Sequence, residues 1–496
     1  MNSGNRPSPY QIPNSSDDPA SQRETTGTSK RTLTQFDCIC IIVGTIIGSG
    51  IFKMPSILAS IVPDIFSLIL VWVLGGLVAL IGALCFAELT TTYPDRGGDY
   101  GYLKRAFDRR VGFAFSWCAF WIVRPANIGL MSMIFGEFAA KALPGTLPML
   151  EYAILAIVIV SACNLIGVKV GKTAQNVLTV AKVVGILLIV FSPFLLGGGQ
   201  PNPNVQSETK AATASLSPEA VGPSAKTTVG NQQSEDATQP GWFWLAMVLV
   251  MFVYGGWNDI AFVASEVQEP KRILFRSLVL GTLLVLVVYL LVNAALLLGL
   301  GFDAMGSLGV NATSKLVEQG MGQVGNRVLS ALVCVSCLGS INAMIFTSPR
   351  IYWATATDYS ALSWLAGDNQ GSGWWRAMLL QAIVTLLFLV TFGRSANGFT
   401  DLTLANAPFF WSFLGLTIVA MIVMRYRLDG QFTGYKTPLF PLLPLMFLLT
   451  CGFMVYRSWT YLVAKELTSA TFLMAGWLLV GVGLSFLLNR NPSEME

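Results

Sequence analysis

The chain has 496 residues, of which 53% are apolar and only 12% charged, whereas an average soluble domain carries roughly 25% charged residues. The net charge of +4 is small, and no basic patch interleaved with aromatic residues suggests nucleic acid as a partner. Histidine, the commonest metal ligand, is absent from the sequence. These features favour a membrane protein over a soluble one, and we expect no metal and no other cofactor.

Twelve stretches are long and apolar enough to cross a bilayer, which takes about 20 residues. They follow a polar segment, residues 1–35, which we expect to be a disordered cytoplasmic tail. The predicted fold is therefore all-α, a polytopic membrane protein with 12 transmembrane helices. The predicted spans are 36–61, 65–91, 111–139, 150–168, 173–197, 242–267, 277–301, 327–356, 374–393, 399–424, 439–459 and 467–488.

The loops predict the orientation of these spans. If the N-terminus is cytoplasmic, 20 basic residues of the loops and helix ends fall on the cytoplasmic side and 8 on the outer side. Cytoplasmic loops carry an excess of Lys and Arg, so both termini are predicted to be cytoplasmic. The longest connection, 198–241, is rich in Pro, Ser, Thr, Asn and Gln and is predicted to be a flexible outer loop.

Glycine clusters interrupt two of the predicted spans. The first lies in VGTIIGSGIF (43–52) and the second in FVYGGWND (252–259). Glycine disfavours a helix by about 1 kcal/mol relative to alanine, and unwound backbone at membrane depth is tolerated only where it is buried in protein or lines a cavity. Interrupted spans at matching positions of two halves indicate the binding site of a transporter. Close helix packing is the alternative explanation.

The two clusters fall in spans 1 and 6, which predicts two repeats of five helices each. Because five is odd, the repeats would have opposite topology in the membrane. The predicted units are 36–197 with helices 1–5, the outer loop 198–241, 242–424 with helices 6–10, 425–488 with helices 11 and 12, and a cytoplasmic tail, 489–496.

Broken helices leave main-chain groups unpaired. The half-helix after Gly50 presents N–H groups and a positive dipole end, which suit a carboxylate. The halves before each break present carbonyl oxygens, which suit an ammonium group. A free amino acid carries both groups on one carbon, so we predict an amino acid site. The predicted substrate-binding residues are Thr45, Ile46, Gly48, Ser49, Gly50, Phe252, Gly255, Gly256, Asn258 and Asp259.

Three basic residues lie inside the predicted spans. Lys182 lies nine residues past Thr173, near mid-membrane at about 1.5 Å per residue, where a lysine costs at least about 2.5 kcal/mol unless paired or hydrated. We predict that it is a fixed cation touching the carbonyls freed by the first break, replacing a sodium ion or exchanging a proton. A buried ion pair is the alternative. For Arg124 a pair with a carboxylate and a functional role both stay open, and Lys53 is expected to face an outer vestibule.

Three carboxylates also stand out. Asp259 lies in the second break, where it would meet a substrate amine or carry a proton. Glu88 and Glu266 lie near cytoplasmic helix ends and are expected to be packing or gate residues.

Taken together, these motifs resemble the L-type amino acid transporters, a branch of the amino acid–polyamine–organocation superfamily. The resemblance implies a LeuT-like fold of 5+5 inverted repeats that works by alternating access. The matching stretches are VGTIIGSGIF (43–52), FAEL…YPDRGGDYGYL (86–103), IVRPA (122–126), QNVLTVAK (175–182), FVYGGWND (252–259), SEVQEPKR (265–272), IFTSPR (345–350) and GYKTPLFPLLP (434–444).

The same resemblance implies roles for single residues. The backbone of Ser49 and Gly50 would hold the substrate carboxylate, the aromatic ring of Phe252 would act as a gate, and Lys182 would occupy the place that sodium fills in sodium-coupled relatives. It thus implies sodium-independent transport, often by exchange. The carbonyls implied to take the substrate amine are those of Ile46, Phe252 and Gly255.

The sequence departs from the family pattern in two places. Animal members have a cysteine between spans 3 and 4 that bonds a single-span glycoprotein, and the corresponding loop, 141–148, has none. We therefore expect no covalent heavy-chain partner, and the chain is more similar to bacterial members of the inner membrane. Asp259 stands where several animal members carry an aromatic residue, which puts side-chain selectivity in question.

The leading functional hypothesis is a secondary transporter of neutral L-amino acids, by exchange or facilitated transport. A proton-coupled amino acid or amine symporter using Asp259 or Lys182 is the nearest alternative. A membrane enzyme would need a clustered catalytic set, and none is evident, so we do not expect an enzyme. A sensor that binds without translocating is the remaining alternative. The expected partners are the amino acid and the lipid bilayer.

Overall fold

The computed structural model describes residues 31–95, 97–195, 241–366, 373–393, 398–427, 434–464 and 468–488. Over these ranges the secondary structure is helical apart from one isolated β-bridge, between Leu33 and Val267. Eleven helices are long and apolar enough to cross a membrane, and a bent pair makes a twelfth span. The predicted all-α polytopic fold is confirmed.

Eighteen α-helices are numbered in chain order, and spans 1 and 6 each consist of two pieces. The helices are α1 (Gln35–Ile46), α2 (Gly50–Ala59), α3 (Ile65–Thr92), α4 (Asp99–Ala106), α5 (Arg109–Cys118), α6 (Arg124–Ala142), α7 (Met149–Ile166), α8 (Val168–Leu195), α9 (Trp242–Val253), α10 (Pro270–Leu300), α11 (Phe302–Leu308), α12 (Ala312–Thr347), α13 (Pro349–Asp358), α14 (Ser363–Ala366), α15 (Trp374–Phe392), α16 (Gly398–Arg427), α17 (Leu442–Ala464) and α18 (Thr468–Leu488).

The predicted bounds agree with these helices to within a few residues at most ends. Span 7 begins at Pro270 rather than at 277, whereas span 8 covers Val324–Asp358, close to the predicted 327–356, and a kink at Gly322 separates it from the start of α12. Helix α10 continues past the apolar stretch into residues that no hydropathy signal marks, because a helix does not have to end where the hydrocarbon ends. The two-repeat division stays a prediction, and the predicted tail 489–496 and residues 198–240 of the loop lie outside the described residues.

The first span is broken where the glycine cluster lies. Helix α1 ends at Ile46, Ile47 is extended with φ −77° and ψ 91°, and α2 starts at Gly50. The axes of α1 and α2 differ by 48°. The break therefore separates one span into two half-helices whose ends meet inside the protein.

The sixth span is broken in a similar way. Helix α9 ends at Val253, and a 3₁₀-helix occupies Trp257–Glu266. Between them Gly256 has φ +116°, and a Cβ built on it would lie 2.8 Å from Cγ2 of Thr45. Only glycine fits both the backbone conformation and the close approach of the two breaks.

A third irregularity lies beside these breaks, in span 3. Five residues of π-helix, Ala119–Val123, separate α5 from α6. Pro125 follows at once and has no N–H to donate to the preceding turn, so the helical hydrogen-bond ladder must change here. π-Bulges of this kind are frequent at functional sites, and this one places Arg124 toward the second break.

The chain before α1 is ordered from residue 31 onward, whereas the sequence predicted disorder through residue 35. The backbone N–H of Leu33 donates to the carbonyl of Glu266 at 3.0 Å, and its carbonyl accepts from the N–H of Gln268 at 2.9 Å. Thr34 and Asp37 form a capping box at the start of α1. Leu33 is fully buried, so an apolar residue and a helix cap order this stretch. The rest of the predicted tail, residues 1–30, lies outside the described residues.

Candidate functional site

The two breaks line one cavity of about 170 Å³. Ser49 is the one predicted binding residue that does not line it, being buried beside it. The predicted residues that do line it are Thr45, Ile46, Gly48, Gly50, Phe252, Gly255, Gly256, Asn258 and Asp259. Their part in substrate binding stays a prediction.

The start of α2 is the candidate site for a carboxylate. The first N–H groups of a helix have no carbonyl in a preceding turn, and Gly50, the first residue of α2, lines the cavity. Ser49 immediately before it makes no side-chain cap hydrogen bond. A Cβ at Gly50 would lie 3.2 Å from Cγ2 of Val253, so glycine here lets α9 approach the N-terminus of α2 closely.

The carbonyls near the breaks already have partners. Ile46 O accepts from the N–H of Gly48 at 2.9 Å and from the hydroxyl of Tyr289 at 3.2 Å. Phe252 O accepts from the N–H of Gly255 at 3.3 Å. A substrate amine at Ile46 would therefore have to replace one of two donors, because a carbonyl has two lone pairs. The N–H of Tyr254 also donates to Phe252 O, so an amine there would likewise have to replace one of two donors.

Tyr289 connects the two breaks directly, although no sequence motif marks it. Its hydroxyl lies 3.2 Å from Ile46 O and 3.1 Å from Val253 O, at the ends of α1 and α9. The side chain is fully buried. A single tyrosine within an apolar span carries no motif, so only the folded arrangement shows that α10 holds both half-helices at a fixed separation.

Lys182 lies behind the first break and is fully buried. Its Nζ lies 3.0 Å from Gly44 O, 2.6 Å from Ile47 O and 3.1 Å from Ser336 O. The salt bridges found among the described residues do not include it. The structure thus places its ammonium group on carbonyls of the first break, as the sequence predicted. Its role in transport stays a prediction.

Two serines of α12 complete this polar junction, and sequence analysis missed them. The hydroxyl of Ser336 lies 3.2 Å from the carbonyls of Ile47 and Gly48, and that of Ser340 lies 3.0 Å from Gly44 O. They are four residues apart, on one face of α12. Two serines four residues apart are common in membrane-spanning helices, so the sequence alone does not mark these two as part of a site.

Arg124 and Asp259 form a buried bidentate ion pair at the wall of the cavity. The distances are 2.6 Å from Nη1 to Oδ2 and 2.8 Å from Nη2 to Oδ1. Both side chains are less than a tenth exposed. Of the two possibilities left open for Arg124, pairing with a carboxylate is the one observed. Asp259 therefore has a cationic partner even when no substrate is bound.

Two further ion pairs join α13 to other elements: Arg350 donates to the carboxylate of Glu266 at 3.0 and 3.1 Å, and Lys104 lies 2.6 Å from Asp358. The Leu33–Val267 bridge connects the segment before α1 to the residue that follows the 3₁₀-helix of span 6. Phe252 lines the cavity with 43% of its surface exposed, and its function as a gate stays a prediction.

The remaining predicted charges lie outside the cavity. Glu88 is buried and bonds Arg425 at 3.0 Å and the backbone N–H of Thr437 at 2.6 Å, which ties α3 to α16 and to the segment before α17. Lys53 lies 3.7 Å from Glu137 and is partly exposed. Neither residue lines the cavity.

Comparison with known proteins places this arrangement in a family. Residues 33–484 match the family described as amino acid permease. The chain is 27% identical over 446 residues to the b(0,+)-type amino acid transporter 1 of Mus musculus, covering 86% of this chain and 83% of the relative. It is 26% identical over 414 residues to the serine/threonine exchanger SteT of Bacillus subtilis, covering 82% and 86%. It is 28% identical over 462 residues to the large neutral amino acids transporter small subunit 2 of Homo sapiens, covering 91% and 77%.

These relatives are transporters, and they confirm the resemblance to the L-type amino acid transporters. The family match covers most of the chain, including both breaks, Lys182 and the Arg124–Asp259 pair. The chain is an integral membrane protein that belongs to the amino acid permease family.

Proposed function

We propose that this protein exchanges amino acids across a membrane, holding each as a zwitterion between the two helix breaks. The observation that carries the proposal is that both breaks line a single cavity. The N-terminus of α2 and the carbonyl-bearing ends of α1 and α9 meet there. Groups that could bind a carboxylate and groups that could bind an ammonium therefore face the same cavity.

Transport is proposed to be independent of sodium. The Lys182 ammonium lies within 3.1 Å of three carbonyl oxygens, two of them from the first break. Oxygen clusters of this kind are what a monovalent cation would need, and a covalently fixed cation already fills this one. The names of the relatives, among them an exchanger and a transporter of large neutral amino acids, support exchange of neutral substrates.

Exchange is tested with purified protein in liposomes that contain unlabelled L-serine, unlabelled L-leucine or no amino acid. Internal substrate is expected to raise the initial uptake of the same labelled amino acid severalfold. In an exchanger the binding site reorients toward the outside faster with a bound substrate than without one. Replacing external sodium by choline is expected to leave uptake unchanged. Protein-free liposomes serve as the control.

Three results would favour other functions. An uptake rate that does not change with internal substrate but rises strongly with an inward proton gradient would indicate proton symport. Uptake that requires sodium would contradict the role given to Lys182. Binding seen by thermal shift without any uptake would indicate a sensor.

The membrane and the orientation are also proposed. We place the chain in a bacterial cell membrane with both termini in the cytoplasm and without a covalent heavy chain, on the basic-residue distribution and the cysteine-free loop 141–148. Alkaline phosphatase fused after Glu496 is expected to be inactive in bacterial cells, and a fluorescent protein at the same point is expected to be fluorescent. Active phosphatase would reverse the orientation.

A further inference from the structure

A second acidic residue lines the cavity besides Asp259. Asp99 is the first residue of α4, is only 2% exposed, and borders the same cavity. Its Oδ1 has no hydrogen-bond partner among the described residues. A buried carboxylate oxygen without a donor is costly, so this oxygen calls for a proton or a ligand.

The local sequence explains why Asp99 reaches the cavity. Gly97 and Gly98 precede it with φ +88° and +49°. A Cβ on Gly98 would lie 2.8 Å from the backbone carbon of Ala261. Two glycines in the left-handed region thus fold the chain tightly against the 3₁₀-helix of span 6 and point the start of α4 toward the second break.

The charges around Asp99 do not neutralise it. Arg124 and Asp259 act on it electrostatically, but Arg124 already shares both of its terminal nitrogens with Asp259. Helix α16 contributes the Thr417 hydroxyl and α4 itself contributes the phenol of Tyr102. The remaining charged groups of neighbouring α5 and α13 pair elsewhere: Arg109 with the backbone of Asp358, Arg110 with Asp108, Arg350 with Glu266, and Asp358 with Lys104.

We propose that Asp99 is a proton-binding residue coupled to occupancy of the amino acid site, an inference that rests on the proposed exchange function. Water in the empty cavity borders the Asp99 side chain and partly solvates its charge, although the carboxylate itself is buried. An amino acid displaces that water, and because a desolvated carboxylate is disfavoured, a proton from solvent binds the Asp99 carboxylate and forms the neutral acid. The wall around Arg124, Asp259 and Asp99 then carries no net charge.

The surroundings of Asp99 already favour the protonated form. Burial raises the pKa of its carboxyl from 3.8 to about 7, with Thr417 lowering it, Asp259 raising it and Arg124 lowering it in decreasing order. The folded-state pKa lies above the unfolded value, so this group favours folding more at pH 5 than at pH 8, and the contribution falls as the pH rises toward 7. By reciprocity, a substrate that raises this pKa further binds more tightly at lower pH.

The test measures exchange of L-serine or L-leucine, whichever is faster, in liposomes with equal pH on both sides. For the wild type we expect the apparent affinity to tighten as pH falls from 8 to 6, by at most about tenfold per pH unit because one proton is involved. D99N, which mimics the neutral acid, is expected to keep an affinity near the low-pH value at every pH. D95N is the matched control, since Asp95 lies in the same loop, pairs with Arg105 at 2.5 Å and is 36% exposed; it should follow the wild type.

A measurement on the wild type alone guards against a D99N variant that fails to fold. Adding the amino acid to purified protein in weak buffer at pH 7 is expected to make the solution more alkaline, by up to one proton per protein. No proton uptake, a pH-independent affinity in the wild type, or an unchanged pH profile in folded D99N would each overturn the proton site while leaving exchange intact. Absence of any exchange in the wild type would overturn the proposed function and this inference together.

Discussion

Replacing Lys182 by methionine is expected to abolish exchange while leaving membrane insertion near normal. Methionine keeps most of the length and the apolar body of the side chain but has no charge and no donor. Three carbonyls, of Gly44, Ile47 and Ser336, then lose a charged partner. Hydrogen bonds to charged groups contribute about 1.5–3 kcal/mol each. Loss of about 3 kcal/mol would lower the population of the intact first break by roughly a hundredfold.

The measurement is the initial exchange rate per amount of protein in liposomes, together with size-exclusion behaviour in detergent. Lys169→Met is the matched control, because Lys169 lies exposed at the start of the same helix, α8, and should retain wild-type exchange. Undiminished exchange by Lys182→Met would contradict the role of the fixed cation. Sodium-stimulated exchange in that variant and not in the wild type would strengthen it, because the oxygen cluster would be open to a free cation.

The fold was predictable from sequence because the bilayer imposes a strong constraint on composition. A span must be apolar over about 20 residues, and a glycine cluster inside one has few explanations. Both breaks therefore lie where the glycines of 43–52 and 252–259 predicted them. The contact of Lys182 with the first break was predictable for a related reason, since a lysine at that depth needs oxygen partners.

The rest of the candidate site depends on contacts between distant parts of the chain. Asp99 was overlooked because it lies between the predicted spans, in a polar stretch where acidic residues are common. Its signal was the pair of glycines before it, which have positive φ and bring it under span 6. Tyr289 and Ser336 carry no such signal, because an isolated tyrosine or serine within a span is compatible with many packings.

The sequence also did not show which buried charged side chains form ion pairs with each other. Asp259 was predicted to meet a substrate amine or carry a proton, on the ground that an acid in a helix break needs a partner. The partner in the structure is Arg124, which is 135 residues away in sequence. Arg124 and Asp259 are each conspicuous as charged residues within a span, but no sequence periodicity relates one to the other. Their pairing is seen only in the structure, where Arg124, directly after the π-helix of span 3, reaches the second break.

Breaking the Arg124–Asp259 pair from one side is expected to destabilise the protein more than removing the whole pair. Asp259→Asn leaves the guanidinium of Arg124 buried without its bidentate partner, and Arg124→Met leaves the carboxylate of Asp259 buried without a cation bound to it. Removing one partner of a buried pair typically costs about 3–5 kcal/mol, whereas replacing both by apolar groups is often nearly neutral. The double variant, Arg124→Met with Asp259→Leu, should therefore recover most of the lost stability.

Thermal unfolding of the detergent-purified variants, followed by intrinsic fluorescence at one fixed pH, measures this difference. Both single variants are expected to melt well below the wild type, and the double variant is expected to melt above either of them. Asp95→Asn, which removes an exposed pair with Arg105, should shift the midpoint little, because exposed pairs contribute about 0–1 kcal/mol. If the double variant were as unstable as the sum of the single changes, the two charges would not act as a pair, and Asp259 would be available to a substrate amine after all.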